Sequence, residues 1–170
     1  MAFVYTNFLD GNYYLHQGLT RKGNPRYWFS KKPDGTLVDR IPDGYRVHET
    51  PNGMVYLAKI RPPVFSRSEI NAVKSSIPKK LDAKVNIMKN MITIYLKIEC
   101  DDWYNPLMRF ILVNKKTREF EAQRYCFRSS SRGWIELDTS TDLKKLAKKC
   151  CVRLGQDSFY DLPYLVDGFL

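Results

Sequence analysis

Two short amphipathic helical patterns bracket a long stretch of strand-like alternation, and each has an apolar stripe that must find a surface to bury against. Near the C-terminal end, Leu143, Leu146, Ala147, Cys150 and Leu154 recur at the spacings of three and four that put them on one helical face. Lys144, Lys145, Lys148, Lys149 and Arg153 occupy the rest of that helix. Thr139, Ser140 or Thr141 is expected to cap it. Asp142 then falls in the first turn, where the helix dipole favours an anion, and Gly155 stands where a C-terminal cap belongs. The earlier helix is expected over 67–77. Ser66 and Glu69 have the spacing of a capping box, Ile70, Val73 and Ile77 make the buried stripe, and Pro78 stops it. A helix this short depends on tertiary packing rather than propensity.

Between the helices the period changes to two. Val85 and Ile87 share one face. Beyond a tight connection at Lys89-Asn90, Ile92, Ile94, Leu96 and Ile98 share another stripe. A loop over 101–106 leads to an apolar strand over 107–113, a turn over 114–117, a long strand over 118–127, a loop over 129–133 and a short strand over 134–137. The first sixty residues read as β-hairpins. Aromatic-rich runs over 12–16 and 26–31 flank a loop of turn formers, Pro33-Asp34-Gly35 and Pro42-Asp43-Gly44 make turns, and 45–49 pairs with 54–60 across Thr50-Pro51-Asn52-Gly53. Arg61-Pro62-Pro63 ends that strand.

The expected fold class is therefore α+β. An antiparallel sheet of four or five strands carries two helices on one face, preceded by a β-hairpin segment over 1–61, with the body over 62–170. The apolar and acidic tail over 156–170 is expected to dock on that body. The order strand, helix, four or five strands, helix is similar to that of the TATA-binding-protein fold and, more loosely, to the helix-grip fold of START-type lipid binders. Such folds carry both nucleic-acid and small-ligand functions, so the likeness assigns neither.

Composition removes several classes. Of the 170 residues, 44% are hydrophobic and 27% charged, which suits a folded domain rather than a disordered chain. No apolar run approaches the roughly 20 residues that span a bilayer, and the first residues do not read as a signal peptide, so a cytoplasmic location is expected. Cys100, Cys126, Cys150 and Cys151 have no C-x-x-C spacing for zinc and are expected to be reduced and mostly buried. His16 and His48 have no Cys or second His at ligand spacing, and no phosphate-binding or dinucleotide glycine motif occurs, so no cofactor is implied.

The motifs Arg21-Lys-Gly-Asn-Pro-Arg-Tyr-Trp-Phe-Ser30, Ile41-Pro-Asp-Gly-Tyr45, Arg124-Tyr-Cys-Phe127 and Leu154-Gly-Gln-Asp-Ser-Phe159 extend over most of the chain. In these the sequence resembles an uncharacterised bacterial protein family, a likeness that implies no activity, cofactor or catalytic residue.

The net charge of +10 is the leading chemical signal. Residues 105–135 hold seven cations (Arg109, Lys115, Lys116, Arg118, Arg124, Arg128 and Arg132) against Glu119 and Glu121, and the last helix adds five more against Asp142. Cations beside aromatics, as at Arg26 and Trp28 or around Tyr125 and Phe127, suit base stacking and phosphate contact. Arg21 and Lys22 make a basic hairpin tip. The leading expectation is a non-enzymatic protein that binds DNA, RNA or another polyanion through Arg21, Lys22, Arg26, Trp28, Arg118, Arg124, Arg128, Arg132, Lys144, Lys145, Lys148 and Lys149. A solvated helix face and core aromatics would leave the same traces. The alternative is a helix-grip module for a small ligand or a protein, with a pocket lined by Tyr95, Trp103, Phe110 and Trp134. Third comes a metal-dependent nuclease in which Glu99 and Asp101 hold Mg²⁺ or Mn²⁺ near Lys97, with Glu119 and Glu121 a weaker pair. The first reading requires the cations of 118–132 and of the last helix to share a surface, the second an apolar cavity between sheet and helix, the third convergent carboxylates.

Overall fold

The computed structural model describes residues 1–97, 102–126 and 133–161, and the chain divides into two units, Met1–Pro62 and Pro63–Leu170. The first unit is all strand. β1 (Val4–Thr6), β2 (Asn12–Leu19) and β3 (Pro25–Ser30) form an antiparallel sheet in that order, and β4 (Tyr45–Glu49) pairs with β5 (Val55–Lys59) as a separate ribbon. Polar groups tie the ribbon to the sheet. The buried Asn7 donates from Nδ2 to the Gly53 carbonyl at 2.6 Å and accepts at Oδ1 from the Leu9 and Gly11 amides. Glu49 accepts from the Tyr5 hydroxyl and the Phe8 amide, both at 2.9 Å.

The second unit begins with α1 (Arg67–Ser76) and continues through β6 (Ala83–Met88), β7 (Met91–Lys97), β8 (Tyr104–Asn114), β9 (Glu119–Tyr125) and β10 (Trp134–Ser140) to α2 (Leu143–Cys151) and a 3₁₀ turn over Asp157–Asp161. The five strands make one antiparallel meander, β10-β9-β8-β7-β6. The strand preceding α1 pairs with β4, so residues 83–140 supply this sheet by themselves. The register Ile87–Ile92–Phe110–Ala122 and its neighbour Val85–Ile94–Met108 make an apolar face. Val73 of α1 and Leu143, Leu146, Ala147 and Cys150 of α2 pack with it into one core. Both helices therefore lie on one face of the sheet, and Phe159 of the 3₁₀ turn joins the same core. Among the described residues no helix is long and apolar enough to cross a membrane.

Several local expectations shift. Ile94 faces Val85 and Ile92 faces Ile87, so the stripes on either side of Lys89-Asn90 form one face; Lys89 enters the left-handed region at φ 52° to close that two-residue turn. β8 starts at Tyr104 and takes in Pro106, which is tolerated because the register shifts between Ile94 and Tyr95 and leaves a bulge there. β10 runs on to Ser140 through a second bulge between Glu136 and Asp138, which turns Leu137 into the core. Since Thr139 and Ser140 belong to that strand, Asp142 is itself the cap of α2, its Oδ1 accepting from the Lys144 and Lys145 amides at 3.0 and 3.1 Å. Part of the tail (162–170), and Ile98, lie outside the described residues.

At α1 the capping box forms: the Glu69 amide donates to Ser66 Oγ at 3.2 Å and the Ser66 amide to Glu69 Oε2 at 2.7 Å. Glu69 also receives Arg118 Nη2, while Arg118 Nη1 donates to the Val64 carbonyl at 3.1 Å. One carboxylate thus caps the start of the helix and joins it to the turn that precedes β9.

Two outcomes follow. Replacing Asp142 by Ala leaves two helix amides without their acceptor and should lower stability by about 1 kcal/mol, read as a lower urea midpoint at constant m-value. Burial raises the pKa of Glu69, but the Arg118 and Ser66 hydrogen bonds outweigh it, and the carboxyl lies below its ordinary value. Its stabilising share is therefore complete above the unfolded carboxylate pKa and disappears as pH falls through the lowered folded value. Glu69→Gln should cost stability near neutral pH, and its gap from the wild type should close in acid, checked by urea unfolding from about pH 7 to about pH 3.

Candidate nucleic-acid interface

α2 presents two chemically opposed sides. Leu143, Leu146, Ala147, Cys150 and Cys151 are buried, and this fixes which way the lysines point: Lys144, Lys145, Lys148 and Lys149 are exposed. Lys149 Nζ lies 3.0 Å from Asp138 Oδ2 on β10. Among the described residues, Lys144, Lys145 and Lys148 have no carboxylate within ion-pair distance. The position of the first two is unusual for a helix built for its own stability. They stand in the first turn, where the macrodipole disfavours a cation even though Asp142 caps their amides.

The other predicted cations that the structure describes in this unit are Arg118 and Arg124. Arg118, at φ 55°, is committed to Glu69 and Val64 and lies over the Phe120 ring. Arg124 is 3% exposed. Its placement corrects the expectation of a surface cation: it has the parity of Phe120 and Ala122 and pairs with Met108, so alternation turns it to the helix-covered face. Arg128 and Arg132 lie outside the described residues. Of the described cations of 118–132, Arg118 is half-exposed but held at the start of α1, and Arg124 is buried.

In the first unit, Arg21 and Lys22 are exposed at the turn between β2 and β3, where Gly23 takes φ 78°. Arg26 lies 5.7 Å from the centroid of Trp28, whose ring stacks on His16 at 5.5 Å and 11°. His16 is buried, and its Nε2 is 3.0 Å from the Lys32 carbonyl. Gly18 sits beneath the indole: a Cβ there would come within 3.0 Å of Trp28 Cη2.

The other readings meet different geometry. Phe110 is fully buried, Tyr95 and Trp134 belong to the opposite face of the sheet, and Trp103 is 49% exposed, so these four do not line one cavity. Glu99 and Asp101 lie outside the described residues, and Lys97 pairs with Asp102 at 3.0 Å. Glu121 accepts from Gln123 Nε2, and no group of three or more metal-ligating side chains gathers among the described residues. Burial pushes the Cys150 thiol up to about 12 and that of Cys151 higher still, which removes both as nucleophiles near neutral pH.

One constellation was not apparent from sequence spacing. On the face of the sheet away from the helices, the register aligns Asn86, Thr93, Arg109, Gln123 and Glu136 in a polar row across all five strands. Arg109 reaches across β9, its Cζ 4.1 Å from the centroid of Trp134, and its Nε donates to Gln123 Oε1 at 2.6 Å. Burial lowers the pKa of this guanidinium, opposed by the carboxylate of Glu121. Trp134 meets Tyr125 edge-on, with centroids 5.2 Å apart.

Comparison with protein-family models, curated proteins and solved structures gives no match for this chain.

The thiol environments have a direct chemical readout. In the native protein at about pH 8, where a thiol of ordinary pKa is partly ionised, Cys150 and Cys151 should resist a thiol-specific alkylating reagent. Both should be modified fully in denaturant, with peptide mass mapping locating the label.

Proposed function

We propose that this protein binds a polyanion, a nucleic acid strand in the first instance, through the exposed side of α2, without catalysing a reaction. One observation carries the reading: Lys144, Lys145 and Lys148 stand together on a face held outward by the buried stripe, and none has a carboxylate partner among the described residues. Lys144 with Lys148 and Lys145 with Lys149 are like-charge pairs at i, i+4, a spacing that costs an isolated helix about 0.2–0.5 kcal/mol per pair. Two of the four also oppose the helix dipole. The dipole favours Lys148 and Lys149 in the last turn, but intrinsic helix stability does not account for Lys144 and Lys145 or for the like-charge pairs, whereas such a face neutralises a phosphate backbone with counterion release. Within the first unit, taken by itself, the exposed Arg21 and Lys22 tip and the Arg26–Trp28 pair carry cations and an aromatic ring of the same chemistry.

The test is fluorescence anisotropy of the full chain with short labelled single- and double-stranded DNA and RNA across a salt series. Affinity should fall steeply with salt. Lys144→Glu, Lys145→Glu and Lys148→Glu combined should weaken binding and flatten the log–log salt slope by about 2–3, the share of three phosphate contacts. Circular dichroism should show α2 retained, since Glu at 144 and 145 suits the first helical turn, which offsets the less favourable Glu at 148 in the last turn. An unchanged affinity in the triple variant, or no binding at low salt, would reject the reading.

A further inference from the structure

Arg109 is stacked and hydrogen-bonded by its neighbours, while its terminal nitrogens meet no acceptor among the described residues. Its guanidinium stacks on Trp134 at 4.1 Å and is steered by Gln123 at 2.6 Å, and Gln123 in turn donates to Glu121. Trp134 is braced by Tyr125, whose ring packs so close to Gly133 that a Cβ there would fall within 2.6 Å of it. Among the described residues, neither Nη1 nor Nη2 of Arg109 has a hydrogen-bond acceptor or an ion-pair partner. The side chain is half-buried, so these donors have lost part of their hydration without a protein group to replace it. A fixed planar fork with free donors matches the two oxygens of a carboxylate or a phosphate.

The surroundings narrow the ligand. Tyr95, Ile111, Tyr125 and Trp134 share this face and are half-buried, which suits an apolar or planar body. Glu121 and Glu136 also share it and would repel a run of phosphates. We propose that the helix-free face of the five-stranded sheet is a binding site for a small organic anion, its carboxylate or phosphomonoester end taken by Arg109 and its body resting on the neighbouring rings. The site is independent of the α2 surface, since α2 packs against the other face of the sheet.

Phenyl phosphate and benzoate are matched probes that separate the two kinds of oxyanion. The full-length protein would be titrated with each by calorimetry, and by NMR following the Arg109 Nε–H and Trp134 indole N–H signals. At least one probe should saturate in the millimolar range or below and shift both signals. Arg109→Gln should weaken that probe about tenfold or more. Arg109→Lys should rescue only in part, because an ammonium cannot make the paired contact. The α2 triple variant should bind the probe as the wild type does. The wild-type titration stands alone if the Arg109 variants fail to fold: no saturation by either probe up to about 10 mM, or shifts confined to other residues, would overturn the site. So would equal binding by Arg109→Gln, or a single-stranded oligonucleotide displacing the probe with higher affinity.

Discussion

In a five-stranded sheet covered on one side, the parity of each residue decides its solvent. Successive side chains on β7, β8 and β9 alternate between a face sealed by α1 and α2 and a face with no helix of that unit over it among the described residues. Ile92, Phe110 and Ala122 fall on the sealed side, and the next position on each strand gives Thr93, Arg109 and Gln123 on the other. Because both helices bury their stripes on the same side, a one-residue slip in register would exchange the core for the polar row. Register shifts at Tyr95, at Leu112 and at Glu136 are therefore placed where a residue can be added without moving the rows on either side.

Charge is distributed according to the same rule. The seven cations of 105–135 suggest one basic band, but the fold sends three of the described ones to different places. Arg124 goes under the helices, Arg109 to the open face, and Arg118 to the end of α1, where it closes a network through Glu69 and Ser66. A guanidinium with a carboxylate and a carbonyl already on it is a structural fastener, and its positive charge is largely answered at home. The lysines of α2 are the reverse case. Their stems leave a helix whose buried side is fully occupied, and three of them meet no carboxylate among the described residues. Net charge alone does not distinguish these situations, because it counts a paired arginine and an unpaired lysine alike.

Local chemistry was readable directly from the chain. The Ser66–Glu69 capping box, the stripe of α2, the turns at Gly35, Gly44 and Gly53 and the alternation of 85–96 all depend on residues within a few positions of one another. The cap of α2 was displaced because β10 extends through a bulge that no local signal marks, and Pro106 entered a strand for the same reason. The buried position of Arg124 was legible in its parity with Phe120 and Ala122, whereas a count of cations along the strand obscured it. The constellation at Arg109 left no such trace. Its members, Arg109, Gln123 and Trp134, come from three strands, and only the pairing of β8 with β9 and of β9 with β10 brings them together.

The sequence by itself determined the elements: which segments are helical, which residues turn, and which positions alternate. Those follow from short-range sterics, hydrogen bonding of nearby groups and the periods of 3.6 and two. Tertiary structure decided which of the two faces each strand buries, which cations are answered by a partner and which remain open, and which distant side chains share a site. These depend on strand register and on the placing of two helices on one side of a sheet, and contacts so far apart in the chain are set by global packing rather than by any local pattern.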